Sequence, residues 1–262
     1  RSMRKGRIGL FAGTGDIVAL AMREIAASGE TPVVFTFDEA VPADIRLRFG
    51  DIEGFFAAAK RENVRRIVLA GKIEARTLLM SDVEKTFPGG LHSLLPEKVL
   101  AAAVRLLAIR GIRVVPLTVV FARHLARCCV YSRVQPDAEM RRDIAVGWKI
   151  AKVVARRGIG QTVAVRHGMI IAVEAIEGTD AMIARAGGSA SGFTVVKVIR
   201  TRQSVLYDLP TVGPNTIHNI ALAGGRALAV EAGKTVIVDV EKTVVEANKA
   251  GIVFLGIGRR VG

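Results

Sequence analysis

The sequence predicts an α/β protein of two lobes, a parallel sheet covered by helices followed by a mixed α/β domain. Three observations lead there. Short apolar runs alternate with stretches of helical periodicity through the first half, the rhythm of a helix-covered parallel sheet. One long amphipathic stretch, "PDAEMRRDIAVGWKIAKVVARRG" at 136–158, separates the halves and reads as a helical connector. After it, a hairpin signal mixes with short helices. The 262 residues suffice for one large domain or two ordinary ones, and half of them are hydrophobic, enough for a substantial core. The expected boundaries are 3–130 for the first domain, 131–157 for the helical linker and 158–262 for the second domain.

"RIGLFAGTGD" is a strand running into a glycine turn, and "IVALAMREIAASG" is an amphipathic helix closed by Gly29. "PVVFTF" is a second strand, "DIEGFFAAAKREN" a helix and "VRRIVLAG" a third strand. "PEKVLAAAVRLLAIRG" opens a helix on Pro96 and stops it at Gly111, and "IRVVPL" returns as a strand. The connector begins at Pro136-Asp137 and ends at Gly158. In "QTVAVRHGMIIAVEA" two strands flank the short "RHG" turn, a hairpin. "TDAMIARAG" is a brief helix capped by Thr179, and "FTVVKVIR" is a strand. "DLPTVGPNTIHNIALAGG" is a Pro/Gly loop entering a helix, and "ALAVEAGKTVIVD" reads as a second hairpin around "AGK". "VEKTVVEANKAG" is helical and "IVFLGI" is a final strand.

Charge is unevenly spread. Against a net +14 for the chain, residues 101–166 carry 13 basic and 3 acidic side chains. Such a belt is either a solvated face or a surface for polyanions: nucleic acid, phosphate-bearing ligands or an anionic membrane. Aromatic residues make up 5% and do not interleave with the basic clusters, which argues against single-strand nucleic-acid binding. No uncharged apolar run of about 18 residues is present to span a bilayer. No secretory leader is recognisable, and Met3 is a plausible initiator behind Arg1 and Ser2. The only cysteines, Cys128 and Cys129, are adjacent, lack zinc or redox spacing and are expected to pack in a reducing, cytoplasmic setting.

Two groups of residues suggest chemistry. "GLFAGTGD" places Gly13, Thr14, Gly15 and Asp16 between a strand and a helix, where glycines let a phosphate approach backbone N–H groups. A plain tight turn accounts for the glycines as well, and Asp16 is either a helix cap or a ligand contact. The third glycine of a dinucleotide fingerprint is replaced by Val18, and no P-loop Lys follows. The second group is acidic. Glu174, Glu177 and Asp180 follow an apolar strand in "AVEAIEGTDAM", and Asp208 precedes a stiff Pro/Gly loop. Thr179 and Asp180 are explained by helix capping and the helix dipole; Glu174 and Glu177 are not. Carboxylates gathered at a strand end suit a hard divalent cation, although Asp208 alone could simply start a turn. Lys197 is a charge inside an apolar strand, either a solvated edge residue or a phosphate contact. His167 and His218 have no ligand-like spacing.

"GLFAGTGD", "GIGQTVAVRHGMIIAVEAIEGTDAMIARAG" and "YDLPTVGPNTIHNIALAGGRALAVEAGKTVIVD" together resemble the LpxI-type UDP-2,3-diacylglucosamine pyrophosphatases of lipid A biosynthesis. The likeness is specific over the second lobe and looser over the first. It implies a Rossmann-like N-terminal lobe that holds the UDP part and a C-terminal lobe that holds the diacylglucosamine phosphate and the chemistry. It also implies Mg²⁺, with Mn²⁺ as the alternative metal, a homodimer, and water attack at the β-phosphorus giving UMP and lipid X. By the same resemblance Asp208 is the essential acid of "DLPT", Glu177 and Asp180 are the acids of "EGTD", and Gln161 follows the linker helix. An acidic pair of the family is missing at Leu95-Pro96-Glu97-Lys98.

Residues and resemblance combine into one expected mechanism. Asp208 and Asp180 hold the metal, Glu177 orients or deprotonates the water, Lys197 offsets phosphate charge, and Thr179 belongs to the catalytic group. Gly13, Thr14, Gly15, Asp16, Gln161 and Thr211 bind substrate. The partners are a UDP-sugar glycolipid, the anionic inner-membrane surface and a second copy, with no nucleic acid. The rival readings are an NAD(P)-dependent oxidoreductase, with Asp38 or Glu39 on the ribose, a non-catalytic nucleic-acid binder drawn by the basic segment, and a related pyrophosphatase of another sugar nucleotide.

Overall fold

The computed structural model describes residues 7–48, 50–71, 96–200 and 203–258. The chain forms two units, one of residues 1–121 with the short segment 203–208, the other of 122–202 and 209–262.

The first unit is a parallel five-stranded sheet in the order β3-β2-β1-β4-β5. Its strands are β1 (Arg7–Ala12), β2 (Val33–Thr36), β3 (Ile45–Arg46), β4 (Val64–Ala70) and β5 (Arg113–Val114). Around them run α1 (Asp16–Ala27), α2 (Ile52–Arg61), α3 (Pro96–Ile109) and the single turn α4 (Leu117–Val120). Ile8–Ala12 of β1 and Ile67–Ala70 of β4 are continuous apolar runs, as strands covered on both faces must be. α2 starts where Asp51 accepts the Gly54 N–H at 2.8 Å, and its Phe55 meets Phe35 edge-on in the core. The two-residue strands β3 and β5 lie at the sheet edges.

The second unit holds a mixed sheet, β12-β10-β8-β6-β7. β8 (Thr194–Lys197), β10 (Ala227–Glu231) and β12 (Val253–Ile257) are parallel, while β6 (Thr162–Arg166) and β7 (Met169–Val173) run antiparallel. The β6–β7 hairpin turns on His167 and Gly168, both with positive φ, the conformation of a twist-matched two-residue turn. Side chains alternate strictly. Val163, Val165, Val196, Val198, Ala229 and Leu255 face α5 (Ala138–Arg156), and their neighbours Ala164, Val195, Leu228, Val230 and Phe254 face a second core. That core also contains residues of α6 (Thr179–Ser189), α7 (Pro214–Leu222) and α8 (Val240–Lys249).

Three sequence expectations are corrected here. The stretch 131–157 is not a separate linker: α5 buries Met140, Ile144, Trp148, Ala151 and Ala155 against the second sheet and belongs to that unit. Its start is fixed by Asp137, which accepts the Met140 N–H at 2.7 Å. Gly147 brings it close, since a Cβ there would lie 2.6 Å from Val196 Cγ2. The "AGK" segment does not close a hairpin either. Its flanks diverge, β10 into the main sheet and β11 (Val236–Ile237) into a parallel pair with β9 (Thr211–Val212). Cys128 and Cys129 are free and exposed rather than packed. Among the described residues no helix is long and apolar enough to cross a membrane.

Candidate active site

The polar centre of the second unit lies at the carboxyl edge of β8. Thr162, at the start of β6, pairs directly with Lys197, the last residue of β8. Alternation puts both on the sheet face that α6 covers, together with Glu174 just past β7. Glu174 and Lys197 are 4% and 6% exposed. Buried charges demand partners, and these have them. Glu174 accepts the Gln161 N–H at 3.1 Å on one carboxylate oxygen and the Thr179 hydroxyl at 2.8 Å on the other. Lys197 Nζ donates to Thr179 Oγ1 at 3.0 Å and to the Thr211 carbonyl at 3.1 Å. The Thr162 hydroxyl lies 3.4 Å from Thr179 Oγ1. Gln161 is buried beside them, and its Oε1 has no hydrogen-bond partner among the described residues.

Thr179 was expected as the cap of α6 and is not. The cap is Gly178, at φ 83°, with no side-chain hydrogen bond, and Thr179 is the first helical residue. Its hydroxyl is turned inward to Glu174 and Lys197 instead. Among the described residues no side chain caps the start of α6, whose N–H groups stand beside a buried ammonium, an arrangement that favours an anion. Asp180, in the same first turn, is exposed and lines a shallow groove of about 400 Å³ between α6 and α7.

Glu177 is an exposed residue whose carboxylate meets Arg185 at 2.7 Å, and Arg185 also donates to the Val173 carbonyl. The Arg185 hydrogen bond is the main reason that Glu177 titrates below the ordinary carboxylate value. So a basic partner does exist for this acid, eight residues ahead on α6. Among the described residues, no three acidic, His or Cys side chains gather to hold a metal by themselves. Mg²⁺ seldom needs such a cage, since substrate phosphates and water complete its shell. The exposed carboxylate of Asp180 fits that kind of binding. Asp208 follows the 3₁₀ turn Gln203–Leu206 and is half-buried; it groups with the first unit. Lys197, weighed between a solvated edge position and a phosphate contact, is neither exposed nor on an edge strand.

In the first unit the glycine turn stands at the carboxyl end of the parallel sheet, where such folds bind ligands. Gly15, at φ 105°, caps α1 with no side-chain hydrogen bond, so Asp16 is the first helical residue and not the cap. Gly13 N–H donates to the Ala70 carbonyl at 2.8 Å. A Cβ on Gly71 would lie 2.7 Å from the Gly13 backbone, so both glycine turns press together after β1 and β4. Thr14 is half-buried at this point. Asp38 accepts the Ala40 N–H at 2.8 Å, within its own turn. Leu95 lies outside the described residues, as do the side chains of Pro96, Glu97 and Lys98.

Glu174 is the residue that sequence reasoning noticed and then left out of the site. Its signal was an acid on the core-facing parity of an apolar strand, a placement that a surface role does not explain.

Fold and site define a two-unit α/β protein with a buried ammonium beside an open helix start, a class suited to phosphate-bearing ligands. Comparison with known proteins narrows this. The family model of the LpxI N-terminal domain matches residues 7–124, and that of the LpxI C-terminal domain matches residues 127–255. Between them they span most of the chain, which belongs to the LpxI family. A relative from Caulobacter vibrioides, named UDP-2,3-diacylglucosamine pyrophosphatase LpxI, is 34% identical over 134 residues. That match covers 48% of this chain and 48% of the relative, so it spans about half the length of that protein.

Proposed function

We propose that this protein hydrolyses the pyrophosphate of UDP-2,3-diacylglucosamine, releasing UMP and 2,3-diacylglucosamine 1-phosphate, lipid X. The observation that carries the reading is the buried Lys197 at the open start of α6, within the segment that matches the LpxI C-terminal domain. Splitting a diphosphate requires positive charge against its oxygens and an oriented water. Lys197 supplies the charge, the α6 N–H groups add to it, and Gln161 and Thr211 shape the sugar-phosphate side. Glu177 orients the water; its Arg185 partner lowers its basicity, which suits it less to taking the proton. The water oxygen bonds to the β-phosphorus, the bridging P–O bond breaks, its electron pair leaves with UMP, and the proton lost by the water passes to bulk solvent. Asp180 and Asp208 would hold Mg²⁺, or Mn²⁺, which supplies charge neutralisation on the phosphate oxygens. The glycine turn Gly13–Gly15, with Asp16, receives the UDP part.

The protein acts in the cytoplasm at the inner-membrane surface, as a homodimer. Turnover in ¹⁸O-labelled water, followed by mass spectrometry of both products, tests the reaction. One ¹⁸O is expected in lipid X and none in UMP. Label in UMP, or no UMP at all, removes the proposal.

A further inference from the structure

We propose that Glu174 is a positioning residue for this reaction: through the Thr179 hydroxyl it fixes where the Lys197 ammonium sits. The inference rests on the pyrophosphatase reading above and adds to it a residue that touches no substrate.

The hydrogen-bond directions follow from chemistry. A carboxylate only accepts, an ammonium only donates, and a hydroxyl has one hydrogen to give. Thr179 lies 2.8 Å from Glu174 Oε1 and 3.0 Å from Lys197 Nζ. Its hydrogen therefore goes to Glu174, and its oxygen turns a lone pair to Lys197. The chain runs one way, from ammonium to hydroxyl to carboxylate, and each bond polarises the next. Charges of opposite sign stand at its two ends in a nearly dry setting, Glu174 at 4% and Lys197 at 6% exposure.

Glu174 is itself held firmly. Its second oxygen takes the Gln161 N–H, and Gly160 packs so closely that a Cβ would lie 1.9 Å from the Glu174 carbonyl oxygen. The Thr211 carbonyl is a further acceptor for the ammonium, contributed by β9. Only the Thr179 contact depends on the carboxylate. Without that charge, the Thr179 hydrogen is free to swing toward Thr162 Oγ1, 3.4 Å away. The ammonium then loses one of the contacts that define its seat.

A network that served stability alone would change melting temperature and leave the ammonium and the turnover step as they were. UMP release by the full chain is therefore measured for Glu174→Gln, Thr179→Val, Thr179→Ser and the Glu174→Gln/Thr179→Val pair. Glu174→Gln and Thr179→Val are each expected to lower kcat roughly 10- to 100-fold with KM within about threefold, the scale of a 1 Å misplacement. Thr179→Ser, which keeps the hydroxyl, recovers most of what Thr179→Val loses. The double variant is no worse than the poorer single one, since both cut the same chain. In parallel, ¹⁵N NMR follows the Lys197 ammonium signal, assigned by its loss in Lys197→Met. It is expected to move in Glu174→Gln and in Thr179→Val. An unmoved signal, or unchanged kcat in a folded Glu174→Gln protein, overturns the proposal. Where Glu174→Gln does not fold, the Thr179→Val and Thr179→Ser pair decides. Should the wild type release no UMP, the pyrophosphatase reading fails, while the NMR signal still decides whether Glu174 positions Lys197.

Discussion

Lys197 concentrates the residue-scale argument. It ends an inner strand, buried, with its ammonium donating to acceptors on α6 and β9. Lys197→Met keeps much of the apolar stem and deletes the charge. Removing one preorganised donor from a phosphate typically lowers kcat by about 10²–10³-fold, and that loss is expected in steady-state UMP release. A loss below about tenfold would leave Lys197 with a packing role only. Glu177 makes a second prediction. Its folded pKa is depressed by Arg185, so the pair contributes stability above the ordinary carboxylate range and loses it as pH falls through the depressed value. Arg185→Gln should return the Glu177 titration, followed by carbonyl NMR, upward toward the ordinary value. An unchanged titration would show that Arg185 is not the cause. The sequence displayed the acids of "VEAIEGTDAM" plainly but not their partners. Arg185 was within local reach, eight residues beyond Glu177 and nearly two turns into α6, and still went unread. The Glu174–Thr179–Lys197 contacts were not, because they depend on the antiparallel register that sets Thr162 opposite Lys197.

At the scale of elements, α5 is the part whose role depends most on packing. It lies across the second sheet, and at Gly147 it packs closely on β8. Gly147→Val would drive a side chain into Val196, the neighbour of Lys197. Overpacking of this kind costs about 1–3 kcal/mol, to be read in urea unfolding of the full chain. Because β8 carries Lys197, activity should fall as well, even where the variant remains folded. A variant of wild-type stability and activity would mean that α5 can shift without disturbing the sheet. This helix also marks where local reading succeeds. Its limits, Asp137 and Gly158, were legible because caps and glycine stops are local signals. So was the His167-Gly168 turn, since its two strands pair with each other. The "AGK" segment looked equally like a hairpin, yet β10 pairs with β8 and β12, partners some 25 to 35 residues away in the chain. Nothing local distinguishes the two cases. β3 went unread for another reason, since two residues hold no period to read, whereas β5 falls within the strand expected at "IRVVPL".

Over the whole molecule the basic surplus is the property that no single residue explains. Of the 13 basic side chains between 101 and 166, 11 are exposed, leaving Lys152 and Arg166 half-buried in ion pairs with Glu231 and Glu139. On α5 they are ordered. Arg142, Lys149 and Arg156 fall on one side, opposite the buried stripe of Met140, Ile144, Trp148 and Ala155, with the exposed Val153 among them. A helix with a buried face and a basic face offers a surface to anionic headgroups, and each Lys or Arg near such a surface contributes about 1 kcal/mol. The protein is expected to sediment with phosphatidylglycerol vesicles at low salt, to stay in solution with phosphatidylcholine vesicles, and to be released as the Debye length shrinks to about 3 Å near 1 M salt. Arg142→Glu, Lys149→Glu and Arg156→Glu together reverse these three charges without touching the core or the site. That triple variant should lose vesicle binding while still releasing UMP from detergent-dispersed substrate. Binding that survived the triple change would assign the attraction to basic residues outside α5. Binding that survived high salt would point to apolar insertion in place of charge, with residues such as Ile109 and Leu222, 79% and 75% exposed, as the first to substitute.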